Sequence, residues 1–484
     1  MAFYKQAGEI VEKLLRREGT IKSLTLSDNV KDKKRMYALI CETLKYKTVL
    51  SMIIDNSNIL KHEKKISRGI ALAMIHDLLF TSRGIQCSDS YPAKQSIMRH
   101  KTRLRAELVK AKVKLQIKSD EDLISQKAKD AAKVPRYIRV NAHKTTVEKV
   151  IERFQKEGYK LGEPLKDLTE VPPKTIRRDF HLSDLLVLPA NTDLHAHPLY
   201  LSGDIILQDK ASCFPATVLA PPLNSYVIDA CAAPGNKTSH LSAIMQNTGK
   251  VIAFDLDNRR LGLLKRMVGK AGCQNIEPIC GSFLEANPED PKYSKIEFIL
   301  LDPSCSGSGI ISRLDHLVDE EDEQGMIEND TKISTDFEKR LQSLSEFQLS
   351  TILHAMKFPK VKKIVYSTCS VHAIENEHVV KKALEKGEEK GWKLARRQNV
   401  LPTWERRGIS EELGREGEEA DALVRCMPAQ DFTNGFFVSC FVRSGGEDSN
   451  TRESEKRVEK LKTSERDIET SSQMKKKSKK RKRL

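Results

Sequence analysis

Residues 226–241, YVIDACAAPGNKTSHL, constrain this chain more than any other stretch. The β-branched Val227 and Ile228 lead to Asp229. Cys231, Ala232, Ala233, Pro234 and Gly235 then make a turn with almost no side-chain bulk, and Asn236, Lys237 and Thr238 open a helix. A turn that small lets a ligand touch backbone, and the first N–H groups and positive dipole end of the helix face the same space. In an open α/β sheet this crossing is where a nucleotide-like cofactor sits. The spacing departs from G-x-G-x-x-G, which argues against a dinucleotide and for another adenosine-bearing ligand, S-adenosylmethionine being the obvious one. A second apolar run, VIAFDLD (251–257), carries Asp255, whose carboxylate suits a pair of ribose hydroxyls. Alone, that residue reads equally well as a strand end turned to solvent.

The alternation of strand and helix continues. YVIDA, VIAFDLD, IEFILLDPS, KKIVYSTCS and GFFVSCFVR are apolar runs spaced by helical segments, which predicts a doubly wound, mostly parallel sheet over residues 201–445. Upstream, the strand PRYIRVN (135–141) is followed by a helix with Val147, Val150, Ile151 and Phe154 on one face, so residues 134–200 read as a small α/β module. Arg136, Arg139 and Asn141 on that strand are candidates for holding RNA phosphates, although an exposed edge strand would look the same. Residues 1–125 read as a helical domain, with Phe3, Ala7, Ile10, Val11, Leu14 and Leu15 on one face and Met36, Leu39, Ile40 and Leu44 repeating the pattern. Such stripes are core. The acidic stretch 317–330 reads as a loop, and residues 446–484 as a disordered basic tail.

Composition narrows the partners. No run approaches the roughly 18 apolar residues of a membrane helix. The opening residues, MAFYKQAGEIVEKLLRREG, read as an amphipathic helix rather than a signal peptide. An intracellular, soluble protein without a membrane partner is therefore expected. The ten cysteines form no C-x-x-C pair and no zinc-spaced cluster, so they should be thiols, with neither disulfides nor a metal. A net charge of +16 favours an anionic polymer, though residues 475–483, KKKSKKRKR, supply eight of those charges. The basic helical stretch at 94–118 is either an RNA face or simply solvated.

Two cysteines lie just past predicted strand ends, where such sheets gather their chemistry: Cys305 in LLDPSCSGSG and Cys369 in IVYSTCSV. One cysteine so placed is more often structural; two, beside a cofactor turn and an Asp-Pro, are harder to dismiss. A thiolate added to carbon 6 of a cytosine turns the electron-poor carbon 5 into an enamine-like nucleophile able to accept a methyl group. Asp302 is placed to stabilise charge developing near N3, and a second thiol would assist release of the product. Chemistry alone leaves open which cysteine does which.

DACAAPGNKT, LDPSCSGSG and STCS, with LQDKAS (207–212) and RCMPAQDFTNGFF (425–437), resemble the motifs of the NOP/Sun-domain RNA cytosine-5 methyltransferases, relatives of the bacterial RsmB proteins. The resemblance covers about 134–443. It implies a Rossmann-like S-adenosylmethionine-dependent methyltransferase domain preceded by an RNA-binding module, with Cys369 as nucleophile and Cys305 assisting release. The implied cofactor site comprises Cys231, Ala232, Ala233, Pro234, Gly235, Asn236 and Lys237, with Asp255, Arg260, Ser282 and Asp302. Two positions depart from the pattern. Ser282, in GSFLEANP, stands where the family usually carries an acidic residue near the adenine, and Asn434 stands where Asp is frequent. The cofactor motif, helical N-terminal region and basic tail are most similar to the Williams–Beuren-region branch, whose members methylate a cytosine in large-subunit ribosomal RNA. That implies rRNA or pre-ribosomal particles as partner, a nucleolar or nuclear setting, and a monomer. The alternative is a ribosome-assembly factor that keeps the fold with weak or no turnover, favoured by Ser282 and opposed by the two cysteines and Asp302. A DNA cytosine methyltransferase would leave STCS unexplained.

Overall fold

The computed structural model describes residues 2–443 apart from 17, 20, 125–128, 130–132, 191, 311–330, 415–417 and 429. The expected acidic loop at 317–330 and basic tail at 446–484 lie outside the described residues.

Helices from Ala2–Leu15 to Lys101–Lys114 build the N-terminal region around its own apolar core. Ala7, Ile10, Val11 and Leu14 are buried, as are Met36, Leu39, Ile40 and Leu44, so both stripes point inward as expected. Arg68–Phe80 is the central helix. It buries residues on every side, which is why its sequence shows weak periodicity. It lies against Ala2–Leu15 so closely that a Cβ on Gly69 would stand 2.2 Å from the Gly8 carbonyl oxygen. The basic helix Lys101–Lys114 turns Leu104, Glu107 and Ala111 inward and leaves Arg103, Arg105 and Lys114 exposed.

A five-stranded sheet follows: β1 Arg136–Val140, β2 Lys160–Gly162, β3 Thr175–Arg178, β4 Leu185–Leu188 and β5 Ile205–Leu207, in the order β2-β3-β4-β1-β5. It extends past position 200, because β5 pairs with β1 through Ile138↔Leu207 and Val140↔Ile205. Helix Val147–Lys156, capped by the Thr146 hydroxyl, lays Val150, Ile151 and Phe154 on one face of it.

The strand β1 is not an exposed edge, and Arg139 and Asn141 are not free for phosphates, whereas Arg136 is half-buried and donates from Nε to the Thr192 carbonyl at 3.2 Å. Arg139 is completely buried; its guanidinium donates to Gln208 Oε1 (2.7 Å), Ser239 Oγ (2.9 Å) and the Asn236 carbonyl (3.3 Å). Asn141, also buried, donates to the carbonyls of Gly203 and Ala271, both at 2.8 Å. These residues join the small sheet to the larger one. So do Lys210 and Asp179, a buried pair 2.7 Å apart, and the Tyr137 hydroxyl, which donates to the Phe432 carbonyl at 2.8 Å.

The larger sheet has eight strands: β6 Tyr226–Asp229, β7 Lys250–Asp255, β8 Ile276–Cys280, β9 Phe298–Leu301, β10 Lys363–Thr368, β11 Trp392–Leu394, β12 Val424–Cys426 and β13 Phe436–Arg443. Their order is β11-β13-β10-β9-β6-β7-β8, with β12 also paired to β13. From β10 through β8 every neighbouring pair is parallel, whereas β13 runs antiparallel to β10, β11 and β12. Alternate residues serve opposite faces: Ile228, Ile252, Ile299 and Ile364 enter one core, Val227, Val251, Leu300 and Val365 the other. The second core also takes in Tyr137, Leu182, Leu185 and Val187 of the small module. All five predicted strands are present. The three without a strong sequence signal are β8, half-exposed at an edge and containing Pro278, and the three-residue β11 and β12.

Candidate active site

The chain passes from β6 to β7 and β8 on one side, then returns to place β9 and β10 on the other. That reversal at β6 opens a crevice beyond the carboxyl ends of β6, β9 and β10, where open α/β sheets bind ligands. Asp229 ends β6, Asp302 follows β9 and Cys369 follows β10. The candidates from three distant stretches therefore meet at one sheet edge.

The turn after β6 is fastened to β7. The Ala232 N–H donates to the Phe254 carbonyl (2.8 Å), and the Ala233 N–H donates to Asp255 Oδ2 (3.2 Å). Asp255, 4% exposed, also accepts the Asp257 N–H on Oδ1 at 3.0 Å, so part of its work is to hold the turn in place. Arg260, which an Asp257 N-cap sets on the helix Asn258–Ala271, donates to the Ala233 carbonyl at 2.7 Å and lies 3.6 Å from Asp255. Gly235 closes the turn with φ +105°, and a Cβ there would sit 3.3 Å from both Leu264 and Val268. The helix Asn236–Ile244 that follows has no side-chain cap, which keeps its first turn available to a ligand.

Asp229 is wholly buried. Its Oδ2 accepts the Thr238 hydroxyl at 2.7 Å, while Oδ1 has no hydrogen-bond partner among the described residues. Burial pushes its carboxyl up to about 7, against the Thr238 hydrogen bond and with the Asp302 charge adding to the rise. An orphaned carboxylate oxygen at a cofactor turn fits the ammonium group of S-adenosylmethionine, so the residues present suit that ligand. The Cys231 thiol is pushed far up by burial, then by Asp229 and Asp302, which leaves it unreactive. Ser282 caps the short helix Phe283–Glu285, its Oγ accepting the Leu284 N–H at 3.3 Å. The departure from an acidic residue thus keeps a local structural use.

On the reaction side, Lys237 Nζ donates to Asp302 Oδ2 at 2.7 Å and Ser367 Oγ donates to Oδ1 at 2.6 Å. Burial works against the Lys237 ammonium, but Asp302, Cys369 and Asp229 outweigh it and raise its pKa. Cys305 Sγ and Cys369 Sγ lie 3.0 Å apart. The Cys305 thiol is held well above its ordinary range, first by its hydrogen bond to Cys369 and then by burial. The two cysteine loops are tied directly as well: the Gly309 N–H donates to the Cys369 carbonyl (2.9 Å) and the Gly435 N–H to the Gly309 carbonyl (2.8 Å). Asn434 begins that last strand connection; its N–H reaches Asp209 Oδ2 at 3.4 Å, while its own Oδ1 is buried without a partner among the described residues.

Sequence reasoning located Lys237, Asp302 and both cysteines but missed Ser367 as a partner of Asp302. It also missed the polar group Ser306, Gln348, Ser370 and Glu375 beneath the cysteines. A serine two residues before Cys369 was the only available signal for Ser367. None distinguished Glu375 from Glu377, two residues on.

Comparisons with known proteins find matches in all three parts of the chain. Residues 34–124 match the N-terminal domain of NOL1/NOP2/Sun domain family member 5, residues 134–208 match its ferredoxin-like domain, and residues 216–442 match the 16S rRNA methyltransferase RsmB/F family. A 28S rRNA (cytosine-C(5))-methyltransferase from Mus musculus is 40% identical over 449 residues, covering 92% of this chain and 91% of that protein. The 25S rRNA (cytosine-C(5))-methyltransferase rcm1 of Schizosaccharomyces pombe is 40% identical over 442 residues, or 91% of each chain. Among solved structures, PH0851 aligns with a TM-score of 0.59 at 20% identity over 89% of this chain and 98% of that one. A methyltransferase homolog protein from Pyrococcus horikoshii aligns with a TM-score of 0.51 at 21% identity over 80% and 99%. Both share its fold. With relatives of this identity along nine-tenths of its length, the chain belongs to the NOL1/NOP2/Sun-domain family, in its member 5 branch.

Proposed function

We propose that this chain is an S-adenosylmethionine-dependent enzyme that methylates carbon 5 of a cytosine in large-subunit rRNA. The observation that carries the reading is the contact of two thiols, Cys305 and Cys369, beside the Lys237–Asp302 pair at the switch point of the sheet. S-adenosylmethionine, when bound along residues 231–237 with Asp255, Arg260 and Ser282 nearby, supplies an electrophilic methyl group. Cys369, as thiolate, adds to carbon 6 and breaks the aromatic pattern of the ring. Asp302, oriented by Lys237 and Ser367, stabilises the ring near N3 as charge develops there. Cys305 stays a thiol because Cys369 and burial hold its pKa up, and it assists the departure of Cys369 by donating a hydrogen bond to the leaving thiolate as solvent takes the carbon 5 proton. The small α/β module and the basic helix Lys101–Lys114 face the RNA, and the protein works in the nucleolus or nucleus, where pre-ribosomal RNA is processed. The assembly-factor alternative is not favoured, since relatives 40% identical along nine-tenths of this chain are named rRNA (cytosine-C(5))-methyltransferases.

Bisulfite sequencing of rRNA with and without the protein tests substrate and reaction together: one lost large-subunit site is expected, and an unchanged pattern would sink the reading. Cys369→Ala should abolish transfer. Cys305→Ala should accumulate a covalent RNA adduct visible as a slow band on a denaturing gel; the adduct appearing in Cys369→Ala instead would reverse the two roles.

A further inference from the structure

Beneath the two sulfurs lies a carboxylate the reaction does not touch. Glu375 is fully buried in the turn after Cys369. Its Oε1 accepts the Ser306 N–H (2.9 Å) and Gln348 Nε2 (3.1 Å), and its Oε2 accepts the Ser306 hydroxyl (2.6 Å). Gln348 Nε2 also donates to the Ser304 carbonyl at 3.0 Å, and the Tyr366 hydroxyl donates to the Glu375 carbonyl. Every side-chain partner of this carboxylate is thus either Ser306, adjacent to Cys305, or Gln348, which grips Ser304 on the other side. Among the described residues Glu375 makes no ion pair, so its bonds serve position and not charge balance.

We propose that Glu375 is a positioning residue for product release, clamping Ser306 so that the thiol of Cys305 stays against Cys369. This rests on the reading of Cys305 as the release residue. The clamp joins the loop after β9 to the turn after β10 independently of the backbone bond between Gly309 and Cys369. Loss of the clamp frees residues 304–306 to shift, and a displacement near 1 Å at a reacting group costs up to about 100-fold. The negative field of Glu375 also adds to the rise of the Cys305 thiol, after the Cys369 hydrogen bond and burial, which favours a proton-bearing Cys305.

The test uses the full chain, an unmodified large-subunit rRNA transcript and labelled S-adenosylmethionine, with adduct and free product separated on a denaturing gel. Glu375→Ala should accumulate adduct about 10-fold over the unsubstituted protein, with the first methyl transfer changed by no more than about 3-fold. Glu375→Gln should release product within about 3-fold of normal, because its oxygen replaces Oε1 and its amide donates to Ser306 Oγ, which turns its own proton to Ser370 Oγ 3.2 Å away. Ser306→Ala removes one clamp bond without disturbing the buried carboxylate's other partners and should accumulate adduct about 3-fold, so the inference stays testable if Glu375→Ala does not fold. Normal release by Glu375→Ala and Ser306→Ala, or an adduct in Glu375→Gln as large as in Glu375→Ala, would overturn it. Cys305→Ala separates the two readings: adduct there but in neither clamp variant defeats the clamp alone, whereas no adduct in Cys305→Ala defeats the release role and the clamp with it.

Discussion

Asp229 should make the stability of the methyltransferase domain fall as the pH rises. Burial lifts its carboxyl from 3.8 to about 7 in the folded chain. Between those values the folded state keeps a proton that the unfolded state releases, so the unfolded state binds fewer protons and stability declines with pH across that window. Above it the folded state carries the whole cost of a buried charge. A difference of roughly three units, at about 1.4 kcal/mol each, makes that cost about 4 kcal/mol. Some 1.5 kcal/mol of it is already present at pH 5, so about 2–3 kcal/mol should be lost between pH 5 and pH 8. Asp229→Asn removes the charge and keeps an oxygen to accept the Thr238 hydroxyl. The chain's two tryptophans, Trp392 and Trp404, are both packed in the cores of the larger sheet, so their fluorescence follows this domain and not the N-terminal helices. Urea unfolding without cofactor at the two pH values, for both proteins, gives a double difference in which the titration of every other group cancels. The variant's stability relative to the unsubstituted protein should rise by about 2–3 kcal/mol from pH 5 to pH 8. Parallel pH curves for the two proteins would refute the assignment of a buried, proton-holding carboxyl at the end of β6.

Two further pairs of substitutions test how the domains are held. Gly69→Ala should cost about 1–3 kcal/mol in thermal unfolding of the N-terminal helices, because its Cβ would meet the Gly8 carbonyl oxygen at 2.2 Å, while Gly269→Ala, with nothing within 4 Å of its Cβ, should gain up to about 1 kcal/mol. Lys210→Met leaves Asp179 charged and buried without its cation and should cost about 3–5 kcal/mol in urea, an effect that Asp179→Asn in the same chain should largely reverse.

The parts of this fold that were legible are those coded by neighbours in sequence. β6, β7, β9, β10 and β13 announce themselves because both faces of this mostly parallel sheet are covered, the antiparallel β13 included, so each strand is a continuous apolar run. The site was legible for a related reason: an open sheet sends catalytic groups to the carboxyl ends of its strands, so Asp302, Cys305 and Cys369 could be located from the strands alone. β8 escaped because an edge strand with one face toward solvent, interrupted by Pro278, lacks that density. Arg139 and Asn141 were misread for a deeper reason. A basic strand is indistinguishable in sequence whether its guanidinium meets phosphate or the end of a helix 97 positions away, as Arg139 meets Asn236.

The same reasoning explains why the polar support of the cysteines was invisible while the cysteines were not. Glu375 and Ser306 are 69 positions apart, Asp302 and Ser367 are 65, and each pair exists only because β9 and β10 are neighbours in the sheet. A buried carboxylate is tolerated only when donors arrive from several elements, so its identity is a property of the assembled crevice and not of its own stretch of chain. Residues that react must reach the ligand and therefore collect at predictable places, whereas residues that hold them still lie wherever the packing leaves donors unpaired. In this chain the second group is as specific as the first: moving Glu375 by one position would take from Ser306 and Gln348 the carboxylate they share while changing neither sulfur.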